Sequence, residues 1–391
     1  MERIDKYVWY QEGPGVRKNQ YTVEGIKLLN VANLVDGNID LSTSDRYISE
    51  EEANGKYKHF LADEGDLVIA SSGIQVNYFD KKMGFIKKEH LPLCMNTSTI
   101  RFKTLDKNVT NIRYFMYFLK SDIFKRQLQK LITGSAQLNF GPSHLKKIKI
   151  NMPLLENQNK AVNELDKVQE IIDTRKRQIE LLDELLKSQF VEMFLKNEFP
   201  KEKLENNVEE MFIGPFGSAL KNECFVEENN GYCVVYEQKH AIYKNIEDFR
   251  WVDKDKYESL KRFNVQPKDI IVSCRGTIGK TFVIPENAPL GIMHPSIMKI
   301  RLKKEKYIPE FFEMVLQHYF LEKENQTNGA TIKMGIKAST LEKEDFIIPD
   351  MELQIKYLTF VKQIDKQKFE IQRSLEEIQR LQESLMNKYF G

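Results

Sequence analysis

Apolar residues follow two patterns along this chain, and the pair of patterns occurs twice. The first is short apolar runs bounded by Gly, Asn, Asp and Pro, as at Ile26–Val31, Leu67–Ala70, Thr99–Phe102, Tyr232–Tyr236 and Asp269–Ser273. Runs of this length and bounding predict β-strands. Asn111–Lys130 and Ile308–Lys323 instead mix aromatic and charged residues at helical spacing, which predicts helices beside the sheets. The second pattern is a heptad. Leu165, Val168, Ile172, Ile179, Leu182, Leu186 and Met193 keep it, with Arg175 and Gln189 as interruptions. Val361, Ile364, Ile371, Leu375, Ile378, Leu385 and Tyr389 keep it again, interrupted by Lys368 and Gln382. No Pro or Gly falls between Glu156 and Phe199 or between Glu352 and Phe390. Each stretch predicts one helix of about 40 residues, roughly 60 Å long at 1.5 Å per residue. A single apolar stripe needs a partner, and a seven-residue repeat predicts a left-handed coiled coil between the two helices.

The two halves are copies. Leu145, Lys147, Pro153, Glu156, Gln158 and Lys160 recur 196 residues later as Leu341, Lys343, Pro349, Glu352, Gln354 and Lys356. Arg177, Glu180, Leu185, Ser188 and Phe194 recur at the same offset as Arg373, Glu376, Leu381, Ser384 and Phe390. Upstream, the strand at Asp66 matches that at Asp269, and Ile100–Lys103 matches Ile300–Lys303, with small drifts in offset. Loops of unequal length between matched strands explain the drift. The expected layout is an α+β chain with a pseudo-two-fold repeat: a first head at 1–154, a spacer helix at 155–200, a second head at 201–350 and a second spacer helix at 351–391. A whole head separates the helices. Antiparallel pairing therefore keeps the two heads from crowding.

The 391 residues, at roughly 150 per domain, agree with two or three domains. The net charge of +2 argues against a general polyanion binder, but it averages unlike pieces. Residues 1–154 carry 23 basic and 17 acidic side chains, whereas the first helix region carries 7 and 10. The basic first head points to a polyanion. The mean hydropathy of −0.49 and the lack of a long uncharged stretch predict no spanning helix. Met1–Asp5 has no apolar leader. Cys94, Cys224, Cys233 and Cys274 have no zinc spacing, which predicts free thiols in a cytoplasmic protein.

Catalytic motifs are incomplete. Asp269–Thr281 resembles a strand entering a phosphate loop, but Cys274 stands where the loop needs its first Gly. Glu237-Gln-Lys239 resembles a metal-dependent nuclease motif, but no Asp lies in the window upstream. Gly214-Pro-Phe-Gly217 resembles the Gly-rich cofactor loop of a methyltransferase, but no acidic strand end follows at the expected distance. No paired histidines and no metal set are expected. Two matched heads at a fixed separation suit duplex DNA, read at two short sequences. Gln, Asn, Arg and Lys supply paired hydrogen bonds to base edges, and cations neutralise phosphates. Candidate DNA contacts in the first head are Ser71, Ser72, Gln75, Asn77, Lys81, Lys82, Asn96, Thr97, Ser98, Ser135, Gln137 and Asn139. In the second head they are Ser273, Arg275, Thr277, Lys280, His294, Ser296, Thr331 and Lys333.

The duplicated plan, the Gly134-Ser-Ala-Gln-Leu-Asn139 loop, the run Leu145–Gln158 and the doubled Pro-x-x-Glu-x-Gln before a heptad helix resemble the specificity subunits of type I restriction-modification enzymes. The likeness covers nearly the whole chain. Lys268 stands in place of Gly65, and Lys333 in place of Gln137. The resemblance implies two target recognition domains that read the halves of a bipartite, asymmetric DNA site, with the helices as an antiparallel spacer. It implies two modification subunits that bring adenine methylation and S-adenosylmethionine, and two restriction subunits that use ATP and magnesium to translocate and cut. The chain itself would be non-catalytic and hold no cofactor. Arg177, Glu180, Leu185 and Phe194, with Arg373, Glu376, Leu381 and Phe390, are candidate docking residues for the paired subunits. Two other readings stay open from the residues alone: a DNA nuclease or methyltransferase with a degenerate motif, and a coiled-coil scaffold that binds no DNA.

Overall fold

The computed structural model describes residues 1–132, 138–326 and 337–391, with the backbone only at 74, 76, 77 and 138. It divides into two compact units that do not follow the halves of the chain. One unit contains Met1–Gln178 together with Ile371–Gly391, and the other contains Ile179–Glu370. Each unit thus holds one head and a segment of both long helices.

In the first unit a four-stranded antiparallel sheet runs in the order Val8–Glu12, Thr99–Thr104, Leu67–Ala70, Met83–Phe85. Leu67–Ala70 is buried throughout, which accounts for its unbroken apolar run. Phe102 packs on Phe115 of the covering helix Ile112–Lys120, ring centroids 5.1 Å apart. On the neighbouring residue, Arg101 is buried against Asp66 at 3.2 Å and lies over the Trp9 ring. The single helix expected over Asn111–Lys130 is two. Ser121 is extended and its Oγ accepts from the Phe124 amide, so it ends one helix and caps the next, Asp122–Leu131. A smaller sheet pairs Leu93–Met95 parallel to Ile26–Leu29, with Tyr47–Ile48 antiparallel at its side.

The second head repeats this order. Val208–Ile213, Ile297–Leu302, Ile270–Ser273 and Thr281–Val283 form the main sheet. Cys233–Tyr236 runs parallel to Gly291–Met293, flanked by Arg250–Val252 and Asn264–Val265. The buried pair recurs as Arg301 on Asp269, now bidentate at 2.7 Å. The turn before this strand also survives the loss of its glycine. Gly65 has φ +85° and Lys268 has φ +70°, so Lys268 carries the strain of a left-handed position.

The long helices are Leu155–Phe190, closing in a π-helical turn at Val191–Leu195, and Met351–Phe390. The first therefore stops short of the expected residue 200. In the first unit, Val168 and Ile172 pack with Leu375, Ile378 and Leu385, while Gln382 donates to Gln169 at 2.8 Å and Tyr389 donates to Glu164 at 2.6 Å. In the second unit, Lys368 pairs with Asp183 at 2.5 Å and Tyr357 donates to the Leu186 carbonyl. In both, rising numbers on one helix meet falling numbers on the other, so the pairing is antiparallel. Two of the heptad interruptions, Gln382 and Lys368, reach polar partners on the facing helix and keep their place in the seam.

The doubled Pro-x-x-Glu-x-Gln motif now has a physical account. Gln158 and Gln354 are both fully buried. Gln158 accepts from the Asn111 amide and donates to the Val109 and Pro153 carbonyls, each at 2.8 Å. Gln354 accepts from Ile308 at 3.0 Å and donates to Lys306 and Pro349 at 2.8 Å. One amide thus ties the start of each long helix to the loop before a head helix, using all but one of its hydrogen-bonding sites.

Candidate nucleic-acid interface

In each head, several loops leave one end of the main sheet together. In the first head, Ser71 follows Ala70 and its amide donates to the Ser98 carbonyl at 2.8 Å. The Gly13 amide donates to Thr99, the Phe140 amide donates to Ser71, and Asn139 lies opposite Ser72. Ser71, Ser72, Thr97, Ser98 and Asn139 are therefore neighbours. In the second head, Cys274 bonds through its amide to Ser296, and Gly214 through its amide to Ile297. Arg275, Thr277 and Lys280 sit at the exposed tip of a hairpin between Ile270–Ser273 and Thr281–Val283. Gly276 and Gly279 supply its left-handed turns, at φ +65° and +78°.

Burial separates these candidates into two kinds. Ser72 is half-buried, and Gln75, Thr97, Asn139, Arg275, Thr277 and Lys280 present themselves to solvent. Others are internal struts, which corrects their assignment as base contacts. Asn96 is 1% exposed; its amide donates to Asn30 and its carbonyl oxygen accepts from Thr97. Ser71 is wholly buried. Ser273 closes its hairpin by donating to Thr277 and accepting from the Lys280 amide. Ser296 is buried and bonds to His294 Nδ1 at 2.7 Å. Burial lowers the His294 pKa, which favours the neutral ring. Lys82 donates to the Leu34 carbonyl at 2.8 Å, and Lys81 pairs with Asp36 at 3.4 Å. The Asn77 side chain and Ser135, Gln137, Thr331 and Lys333 lie outside the described residues.

The incomplete motifs resolve into structural parts. The loop resembling a phosphate site is the hairpin just described, and burial pushes the Cys274 thiol up to about 12. Glu237 pairs with Arg250 and Lys239 with Asp248, so both side chains of the nuclease-like motif are spent on ion pairs. Among the described residues no group of His, Cys, Asp and Glu could hold a metal ion, and no helix is long and apolar enough to cross a membrane.

The eight docking candidates also divide. Leu185 and Leu381 are 41% and 50% exposed, and Arg373 pairs with Glu377 along its own helix. Arg177, Glu180 and Glu376 lie on the exposed side of the helices. Phe194 and Phe390 do not belong with them. Phe194 packs 4.8 Å from Phe311, and Phe390 packs 4.8 Å from Tyr114, each inside a head core. Their burial, 1% and 7% exposed, leaves no surface for a partner.

Sequence reasoning passed over one shared feature of the loop cluster. Gly13-Pro14 and Gly214-Pro215 stand at the same place in the two heads. A Cβ on Gly13 would sit 2.0 Å from the Asn96 carbonyl oxygen, and one on Gly214 would sit 2.2 Å from that of His294. Only glycine allows this approach of loop to strand end. A comparison of the two copies for repeated Gly-Pro pairs would have found it. Gly214→Ala is expected to destabilise the second head by about 2 kcal/mol through forced displacement of backbone, measured by denaturant unfolding; an unchanged midpoint would contradict the contact.

Comparison with known proteins agrees with this geometry. The family model described as type I restriction modification DNA specificity domain matches twice, at residues 17–184 and 205–382. The chain is 24% identical over 385 residues to a Methanocaldococcus jannaschii protein described as the MjaX type I restriction enzyme specificity subunit, covering 93% of this chain and 86% of that one. It is 25% identical over 185 residues to the MjaVIII specificity subunit of the same organism, covering 47% and 43%. Its fold resembles the S subunit of a type I restriction-modification system from M. genitalium, with a TM-score of 0.51, 16% identity and coverage of 100% and 95%. It also resembles a chain in a structure describing complex assembly and conformational transition of the type I R-M system, with a TM-score of 0.64, 15% identity and coverage of 99% and 96%. Two family domains, two heads of one topology and an antiparallel helix pair lead to one conclusion: the chain belongs to the type I restriction-modification DNA specificity family.

Proposed function

We propose that this chain reads a bipartite, asymmetric DNA site, with one half-site taken by each head. The observation that carries the proposal is the pair of loop clusters. They stand at the same end of main sheets with the same strand order, yet present different side chains, such as Ser72 in the first and Arg275 in the second. Equal scaffolds with unequal tips suit two different short sequences. The antiparallel helices act as the spacer that fixes the number of unread bases. The chain is non-catalytic in this reading. Two modification subunits dock on the helices near Leu185 and Leu381, and bring adenine methylation with S-adenosylmethionine. Two restriction subunits bring ATP- and magnesium-dependent translocation and cleavage.

Mapping methylated adenines in cells that carry the chain with its modification subunits tests this. The expected result is one interrupted, asymmetric motif methylated throughout the genome. A continuous or palindromic motif would overturn the two-head reading, and methylation unaffected by deleting this chain would overturn its role in recognition.

A further inference from the structure

The duplication offers a way to separate contacts with the DNA backbone from contacts with bases. Two heads that read different half-sites meet different bases but the same phosphodiester chain. A cation that both heads keep at one structural position, exposed and unpaired, therefore has the properties of a phosphate contact. A residue that differs at a matched position has those of a base contact.

On the loop that follows the matched Gly-Pro pair, one position fits the first description. In the first head Gly13-Pro14 leads to Val16, which is buried against Ile26, Leu28 and Cys94 of the smaller sheet. In the second head Gly214-Pro215 leads to Leu220, buried against Cys233, Val235 and Ile292 of the equivalent sheet. The next residue is Arg17 in one and Lys221 in the other. Each is the extended residue before a single 3-10 turn, Lys18–Gln20 and Asn222–Cys224, with φ and ψ of −86° and 156° for Arg17 and −75° and 163° for Lys221. A buried anchor on the smaller sheet thus precedes the cation and a tight turn follows it, so its position in the loop after the Gly-Pro pair is fixed. Both side chains are exposed. Neither side chain makes an ion pair or a hydrogen bond with any described residue, unlike those of Lys81 and Lys82. By contrast, the residue before the matched glycines Gly73 and Gly276 differs, Ser72 against Arg275, although both glycines are left-handed at φ +73° and +65°.

We infer that Arg17 and Lys221 are equivalent phosphate-binding residues, one per head, that anchor each recognition loop cluster to the backbone of its half-site without regard to sequence. The inference rests on the DNA-reading function proposed above.

The test measures fluorescence anisotropy of the full chain, purified with its modification subunits, on two labelled duplexes: a random-sequence 40-mer and one carrying the methylated motif. Each neutralised phosphate contributes about 0.9 to the slope of log affinity against log salt. Arg17→Ala and Lys221→Ala should each lower that slope by about 0.9 on both duplexes, and the double variant by about 1.8. Preference for the motif over random sequence should stay within about twofold. Arg17→Lys and Lys221→Arg keep the charge and should keep the slope. Lys107 is exposed beyond the opposite end of the Thr99–Thr104 strand, so Lys107→Ala should leave the slope unchanged. Unchanged slopes in Arg17→Ala or Lys221→Ala overturn the inference, as does an equal fall in Lys107→Ala. A loss of preference confined to one half-site would make the residue a base reader and also overturn it. A wild-type complex with no preference for the motif would instead sink the functional reading itself, which keeps the two failures apart.

Discussion

Replacing Gln354 with alanine is expected to destabilise the second unit by about 4 kcal/mol, and Gln158→Ala should do the same to the first. The figure follows from what the side chain leaves behind. The Ile308 amide and the Lys306 and Pro349 carbonyls each lose their partner in a site with no exposure. A buried unsatisfied polar group costs about 1–3 kcal/mol, and partial entry of water keeps the total below the sum of three such costs. Gln354→Met preserves volume and separates packing from hydrogen bonding. It should recover only the cavity contribution and stay about 2–3 kcal/mol below wild type, because the backbone groups remain unpaired. Denaturant unfolding of the full chain gives both numbers. A variant within about 0.5 kcal/mol of wild type would show that water replaces the amide and that the motif has another purpose.

The second large effect concerns the spacer. Gln169 pairs with Gln382, and Asp183 with Lys368, so one antiparallel register holds in each unit. An inserted heptad keeps the apolar stripe in phase only when both helices receive it at facing positions, near residue 175 in the first and residue 376 in the second. Such a double insertion adds about 10.5 Å at 1.5 Å per residue. At 3.4 Å per base pair, the unread spacer should lengthen by about three base pairs, with both half-sites unchanged. Methylation mapping reads the outcome directly. The original spacer in a folded, active double insertion would contradict the helices' role as a ruler. Insertion in one helix alone leaves seven residues without facing partners and is expected to reduce methylation rather than shift the motif.

How much of this was legible in the sequence follows from which forces a single chain makes visible. The duplication was legible because it repeats side chains at a fixed offset, and the seam because a heptad is a strong periodic signal. Leu67–Ala70 was legible as a strand because it is buried on both faces and bounded by turn residues. The break at Ser121 was not, since a capping serine inside an aromatic-rich stretch looks like any polar position of one helix. Polar loop residues were the largest source of error. Ser71, Asn96 and Ser296 flank strands and Ser273 ends one, so all four read as solvent-facing tips. Loops that gather at a strand end must satisfy their own backbone groups, and these side chains or their backbones do that work inside. Phe194 and Phe390 misled for a related reason. Their repetition once per helix suited a paired docking face, but a repeated head core demands the same repetition. The Pro-x-x-Glu-x-Gln motif was visible as a pattern, while its role depended on backbone groups some 47 residues away in sequence, which no local pattern encodes.

The pairing of buried anchor and exposed cation at Val16-Arg17 and Leu220-Lys221 shows what a duplicated protein adds. Matched positions can be compared within one molecule, on one scaffold, so shared and divergent surface residues become separate classes. The same comparison sets Ser72 against Arg275 as the divergent position. Arg275→Ala is accordingly expected to relax selectivity in one half-site.

Each head is proposed to read its own half-site on a scaffold of shared topology. The most direct measurement exchanges residues 201–350 for the second head of a relative with a different motif, and maps methylated adenines in cells carrying the hybrid with its modification subunits. The expected motif has one half-site changed to that of the donor, while the other half-site and the spacer stay as they were. A change in both half-sites would contradict independent reading by the two heads.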